Sequence, residues 1–409
     1  MISRPDNARK PLLTRRRLLF LGATGLVLLP GIRMAFARAP TENRVVVVVL
    51  RGALDGLAAV PPYGDKDYAP QRGSLAFAPP GEVGGCLDLD GHFGLHPALS
   101  ELLPLWHSGE FAVIHAAATP YRARSHFLGQ DMLETGGAGH PLDDSWLNRA
   151  LAAMPGDGRA LGLAVGPATP LILRGPARTG AYEPQQIIAP ASPDFLNRLA
   201  DLYEVDPLFS RALAEGLQAQ ALSQEVMGKP GTKPLAAAQY LTAAAEGVGR
   251  LLADRRGPRV AVLEAAGWDT HQAQGLADGS LAVALKGLGQ SLVKLKEALG
   301  PAWQRTTVIA VTEFGRTVAV NGTGGTDHGT GTVALLLGGR VAGGRVIADW
   351  PGLAAKKLYQ ARDLAPTFDL RAALKALCRY QLEIDEATVE SRLFPDSRHA
   401  PALPGLLRA

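Results

Sequence analysis

The chain has 409 residues, 47% of them hydrophobic and 20% charged, with 42 Lys and Arg against 38 Asp and Glu and a formal net charge of +4. Part of that excess sits at the extreme N-terminus (Arg4, Arg9, Lys10, Arg15, Arg16, Arg17, Arg33), so nothing in the charge points to a nucleic-acid partner. No fixed-period repeat or heptad series is present, which excludes solenoid and coiled-coil architectures.

Residues 1–39 read as an export signal. The basic stretch Thr14-Arg15-Arg16-Arg17-Leu18-Leu19 runs into an apolar segment, residues 20–32, broken by Gly22, Gly25 and Pro30. Ala35-Phe36-Ala37 and Ala37-Arg38-Ala39 both fit a small-x-small cleavage pattern. The apolar segment falls short of the roughly 20 residues a stable span needs, so no membrane span is expected after processing. A paired arginine before a mildly apolar run resembles the twin-arginine signal, which implies the twin-arginine translocase as a transient partner and the periplasm or cell surface as destination.

From residue 40 onward the pattern predicts one large α/β domain. Residues 44–50 hold five consecutive valines, the mark of a strand buried on both faces. Apolar runs recur at 111–116, 259–264, 306–312 and 332–337, with helical periodicity at 235–252 and 281–299. Alternating strands and helices predict an α/β fold with a mainly parallel central sheet flanked by helices on both faces. The proline-rich stretch from about 155 to 233 reads as an insertion or cap. Cys86 and Cys378 either pair, if the fold brings their Cα atoms within about 7 Å, or remain two buried thiols.

In open α/β sheets ligands bind beyond the carboxyl ends of the strands, and that is where this chain places its polar clusters. After the first run comes Arg51-Gly52-Ala53-Leu54-Asp55-Gly56, in which Asp55 is either a metal ligand or a turn residue. After the second, Arg122-Ala123-Arg124-Ser125-His126-Phe127 opens a helix. Ser125 there is either an N-cap or a nucleophile beside His126, Arg122 and Arg124, whose charge would stabilise a developing anion. The third run ends in Gly267-Trp268-Asp269-Thr270-His271, where Asp269 and His271 at i, i+2 share a side if the segment is extended. The fourth delivers Glu313-Phe314-Gly315-Arg316, and a glycine-rich loop then carries Asp327-His328. Acid and acid–imidazole clusters at successive strand ends favour a divalent metal with oxygen and nitrogen ligands. Asp55, Asp269, His271, Glu313, Asp327 and His328 are therefore expected to converge on one site.

The segments Val-Leu-Arg-Gly-Ala-Leu-Asp-Gly (49–56), Ser-His-Phe (125–127), Gly-Trp-Asp-Thr-His (267–271), Thr-Glu-Phe-Gly-Arg-Thr (312–317), Gly-Thr-Asp-His-Gly (325–329) and Leu-Phe-Pro (393–395) resemble those of DUF1501 proteins. The resemblance implies an alkaline phosphatase-like fold, the superfamily of phosphatases, arylsulfatases and phosphonate hydrolases. It makes Asp55 similar to that superfamily's first-strand metal aspartate, Ser125 to its nucleophile, Asp269 with His271 to its acid–histidine pair, and His328 to its late metal histidine. Glu313-Phe314 departs from the usual Asp-His or Asp-Asn pair. The expected cofactor is a divalent ion (Zn, Mg, Ca or Mn). The expected function is a metal-dependent hydrolase of a phosphate or sulfate ester, with Arg316 and the other arginines near the anion. The competing expectation is a non-catalytic periplasmic or cell-surface protein on a hydrolase-like scaffold that binds an anionic surface polymer or a partner protein.

Overall fold

Five valines in succession can be buried together only where both faces of their strand are covered, and a computed structural model shows that arrangement. It describes residues 41–154, 161–166, 168–185, 191–227 and 235–408. The segment read as an export signal, residues 1–39, lies outside the described residues. In β1 (Arg44–Arg51), Val46, Val48 and Leu50 enter one apolar core while Val45, Val47 and Val49 enter the core on the opposite face.

A short hairpin, β2 (Leu87–Asp88) with β3 (Gly94–Leu95), stands apart from the main sheet. That sheet comprises β1, β4 (Phe111–Ala118), β5 (Gly162–Val165), β6 (Thr179–Tyr182), β7 (Val260–Ala266), β8 (Thr306–Val311), β9 (Thr332–Leu337), β10 (Arg345–Ile347) and β11 (Phe368–Asp369). Its order is β10-β4-β9-β8-β1-β7-β5-β6, with β11 also on β4. Every pairing is parallel except the two made by β9, which runs antiparallel to both β4 and β8. The expected α/β architecture, mainly parallel and helix-covered on both sides, is therefore present. β5 and β6 come from the stretch read as a cap, so its first part belongs to the sheet.

The helix Ser280–Leu299 buries Leu281, Leu285, Leu288, Leu292, Leu295 and Leu299, a strip at alternating spacings of four and three that keeps to one helical face. It packs with the helix Ala237–Ala253 on one side of the sheet. Trp146–Ala153 and Leu370–Ala376 cover the other. Each fully buried leucine contributes about 1.5–3 kcal/mol relative to an exposed one. Cys86 and Cys378 are both buried and free, which decides against a pair. No helix among the described residues is long and apolar enough to cross a membrane.

Candidate metal centre

β1, β4, β7 and β8 all point their carboxyl ends to one edge of the sheet. Because β9 is reversed, it begins at that same edge, so the loop from β8 to β9 starts and finishes there. Four loops thus meet: 52–55 after β1, 119–125 after β4, 267–271 after β7, and 312–331 between β8 and β9.

They meet closely. At Gly52, with φ of +123°, an added Cβ would lie 2.7 Å from the Asp269 amide nitrogen, so a side chain there would separate the first loop from the third. Gly129, in the helix His126–Thr135, would place a Cβ 2.9 Å from the Phe314 ring. That close packing lets His126 stack on Phe314, with centroids 5.0 Å apart.

Asp269, His126 and His328 each bring a ligating atom to one place, all within 4.8 Å of one another. His126 Nε2 lies 2.9 Å from His328 Nε2 and 3.4 Å from Asp269 Oδ2, and His328 Nε2 lies 3.2 Å from Asp269 Oδ1. His271 Nε2 flanks the group, 3.0 Å from His328 Nε2 and 3.0 Å from Asp269 Oδ1. Donors held about 2.0–2.1 Å from a tetrahedral cation are separated by about 3.3 Å, so the three edges match such a ligand set.

The other nitrogen of each ring faces an acceptor. His126 Nδ1 is 2.7 Å from Glu313 Oε1, His271 Nδ1 is 3.1 Å from Asp327 Oδ1, and His328 Nδ1 is 3.1 Å from the Arg124 carbonyl oxygen. Carboxylate and carbonyl oxygens only accept, so in each neutral ring the proton sits on Nδ1 and donates outward. The three Nε2 lone pairs are then turned on one another and on a carboxylate. Such facing lone pairs need a proton or a cation between them, and carboxylate-backed histidines are the usual metal-ligand arrangement. Nitrogen donors with a single carboxylate suit zinc and its transition-metal neighbours better than Mg or Ca, which favour oxygen cages.

The electrostatics follow from these contacts. The hydrogen bond with Glu313 raises the His126 pKa above its ordinary value against the opposing effect of burial. Burial, then the neighbouring His126, lowers that of His328. Burial alone would raise the Asp269 pKa, but the hydrogen bond and charge of Arg316 hold it below the usual carboxylate range. Burial likewise opposes ionisation of Glu313, and contacts from His126, Gln130 and Thr312 outweigh it. Asp327 is lowered chiefly by its hydrogen bond from Asn321.

Several expected residues take other places. Asp55 is not in the cluster: it is buried, ion-paired with Arg72, accepts a 2.6 Å hydrogen bond from Gln274 Nε2 and caps the short helix Gly56–Ala59. The expectation that it joins one common site is corrected, because a countercharge from residue 72 has already claimed its carboxylate. Glu313 and Asp327 stand behind His126 and His271. Arg316 is buried, donating to Asp269 and to both Thr326 oxygens, so it positions the ligand rather than meeting an anion. Arg124 turns to Asp363, at 2.7 Å, and Gln360. Arg122 donates to the carbonyls of Thr119 and Tyr121. Ser125 precedes the helix without capping it by its side chain, half-buried and next to His126. His126 itself was expected as a companion of Ser125; the geometry makes it a member of the ligand group. Its position at a helix start facing an acidic strand end was the available signal.

No curated protein matches the chain. Among solved structures it is similar to a protein in the alkaline phosphatase superfamily from Vibrio parahaemolyticus (15% identity, 76% of this chain and 64% of that one, TM-score 0.35). It is similar also to the C-terminal periplasmic domain of EcEptC from Escherichia coli in complex with Zn (12%, 76% and 77%, TM-score 0.33). A third is the lipoteichoic acid synthase LtaP from Listeria monocytogenes (10%, 78% and 69%, TM-score 0.31). Likenesses this distant carry no argument about activity. The sequence match is of another kind: it covers residues 110–389, which contain every residue of the cluster and exclude Asp55. Through those residues the chain belongs to the family described as "Protein of unknown function (DUF1501)".

Proposed function

We propose that this DUF1501 protein is an exported metal-dependent hydrolase-like protein, in which His126, Asp269 and His328 hold one divalent cation of the zinc class and the substrate is a phosphate or sulfate ester. The observation that carries the reading is the set of three imidazoles whose Nδ1 protons are committed to acceptors while their Nε2 atoms face one another.

A cation held there supplies Lewis acidity toward an ester oxygen or an attacking water. The chain's own residues would do the rest. Arg316 keeps Asp269 ionised and oriented, and Glu313 fixes the tautomer and plane of His126. The helix His126–Thr135 begins at the cluster with no side-chain cap, so its first amides point free donors and a positive helix end at a bound anion. Ser125 is the candidate nucleophile by position, and His271, at the rim, is the candidate for handling the leaving group's proton. Export through the twin-arginine route rests on residues 14–39 and belongs to the same reading.

A second reading is favoured by one observation: Arg122, Arg124 and Arg316 are all engaged internally, leaving the cluster with few cations to meet a dianion. In that reading the protein holds the metal without turnover and serves as a non-catalytic binding protein on a hydrolase-like scaffold.

One experiment separates them. The precursor is expressed, processed protein is recovered from the periplasm, and its metal is measured after zinc loading. About one equivalent is expected, lost in His126→Ala and His328→Ala. The same samples are assayed with p-nitrophenyl phosphate and p-nitrophenyl sulfate. No metal under any loading condition would sink both readings, and metal without turnover of either ester would leave the second.

A further inference from the structure

The mechanism proposed above leaves unused a cleft of about 320 Å³ beside the cluster, at the lower end of the roughly 300–1,000 Å³ range of small-molecule sites. It lies along the helix His126–Thr135, on the flank that carries Gln130 and Glu134, and is closed on its other side by residues 168–171.

Its floor is electrostatically settled. Arg51 reaches Glu264 through Nε (2.7 Å), and Glu134 and Gln130 through NH1 (2.8 Å each). Glu134 is buried and also accepts the Ile172 amide at 2.7 Å. None of these is available to recruit an ion.

The rim is different. The Asp131 carboxylate, the second oxygen of Glu264 and the Thr169 hydroxyl make no hydrogen bond to another described residue. Arg174 is exposed and uses only Nε, on the Thr169 carbonyl at 3.2 Å, which leaves its terminal nitrogens open. At the mouth stands Phe127, a residue 84% exposed.

Open acceptors and open donors, with one bare aromatic face, select against most ligands. An anion would meet the Asp131 carboxylate, which has no countercharge among the described residues, and the open oxygen of Glu264, which shares the single cation Arg51 with Glu134. An apolar molecule would strip water from four polar groups with nothing in return. A metal lacks a ligand set there, since the only qualifying group among the described residues is the cluster itself. A ring bearing several hydroxyls fits all of them, because each hydroxyl both donates and accepts while the ring's C–H face lies on an aromatic side chain.

We propose that this cleft binds a neutral sugar ring. Placement then gives it a role that rests on the hydrolase reading: the sugar carries the ester. Gln130 is common to both sites, accepting from Arg51 in the cleft and donating at 3.2 Å to Glu313, which holds His126. His126 and Gln130 are four residues apart on one helix, about 6 Å along its axis, comparable with a single sugar ring. A sugar seated in the cleft therefore presents a substituent to the metal centre one ring away.

The test uses the mature protein, chelator-treated and zinc-loaded, with glucose, galactose and N-acetylglucosamine as probes in saturation-transfer NMR. Spermidine and inorganic phosphate serve as competitors. At least one sugar should bind with roughly millimolar Kd in both samples. Phe127→Ala and Asp131→Asn, both on the surface, should each weaken it about tenfold with circular dichroism unchanged. The proposal is overturned if no sugar binds, if binding is indifferent to both variants, or if spermidine or phosphate displaces the sugar. Metal content measured on the same samples keeps the two readings apart. Sugar binding without metal uptake removes only the hydrolase, and metal uptake without sugar binding removes only the cleft.

Discussion

Two aspartates follow strands on the same edge of the sheet, and their surroundings are opposite. Asp55, after β1, is sealed: Arg72 neutralises it, Gln274 and the Ala58 amide fill its remaining acceptor sites, and both partners of the ion pair are buried. Asp269, after β7, is 42% exposed and shares its oxygens among Arg316 and three imidazoles that have no other use for their Nε2 atoms. A strand end supplies the position for a functional carboxylate. Whether it remains available depends on whether a distant part of the chain has already supplied a countercharge.

The largest expected effect is on the sealed side. Asp55→Ala leaves Arg72 buried without its partner, at a cost of about 3–5 kcal/mol in unfolding free energy by urea titration, while zinc stoichiometry stays at the wild-type value. A variant that keeps its stability and loses its metal would put Asp55 in the metal site after all. Next comes Glu313→Gln, which keeps the shape but weakens the orientation of His126. Zinc affinity should fall about 10–100-fold in competition with a chromophoric chelator. An unchanged affinity would mean that His126 is not a ligand.

The smallest effect is that of pH. In metal-free protein the His126 pKa is raised by Glu313, so its stabilising contribution is complete below the unfolded value of about 6.5 and is lost as pH rises through the folded one. Metal requires the neutral ring, so affinity should run the other way, falling as pH drops through that window by at most about tenfold per unit for this one proton. The His328 pKa is lowered, which places its competition at more acidic pH. A zinc affinity that is flat from about pH 8 to pH 5.5 would remove imidazole from the ligand set.

Much of this molecule is legible in its sequence where one residue type fills a local pattern. The valines of β1 declare a doubly covered strand, and the leucine strip of Ser280–Leu299 declares a helix. β5 and β6 are harder, being four residues each with glycine in both. The direction of β9 cannot be read at all, since an apolar run has no polarity. At the site, Asp269, His271 and His328 stand out because acids and imidazoles adjoin in loops after apolar runs. The roles of His126 and Asp55 depend on partners 187 and 17 residues away, and Arg72 lies in a stretch with no regular pattern to draw attention to it.

The reversal of β9 has a consequence for how this centre can change. A parallel successor to β8 would have carried the chain to the far edge of the sheet and left the ligands on separate connections. Here one excursion, residues 312–331, leaves and re-enters the sheet beside its own starting point, bringing Glu313, Arg316, Asp327 and His328 with it. At the tip of that excursion residues 319, 320 and 322 reach the surface and can be exchanged while both anchors stay fixed by the strands, whereas Asn321 and Thr323 hold the His271 carbonyl. The protein can thus alter what approaches the metal centre without redesigning what holds it.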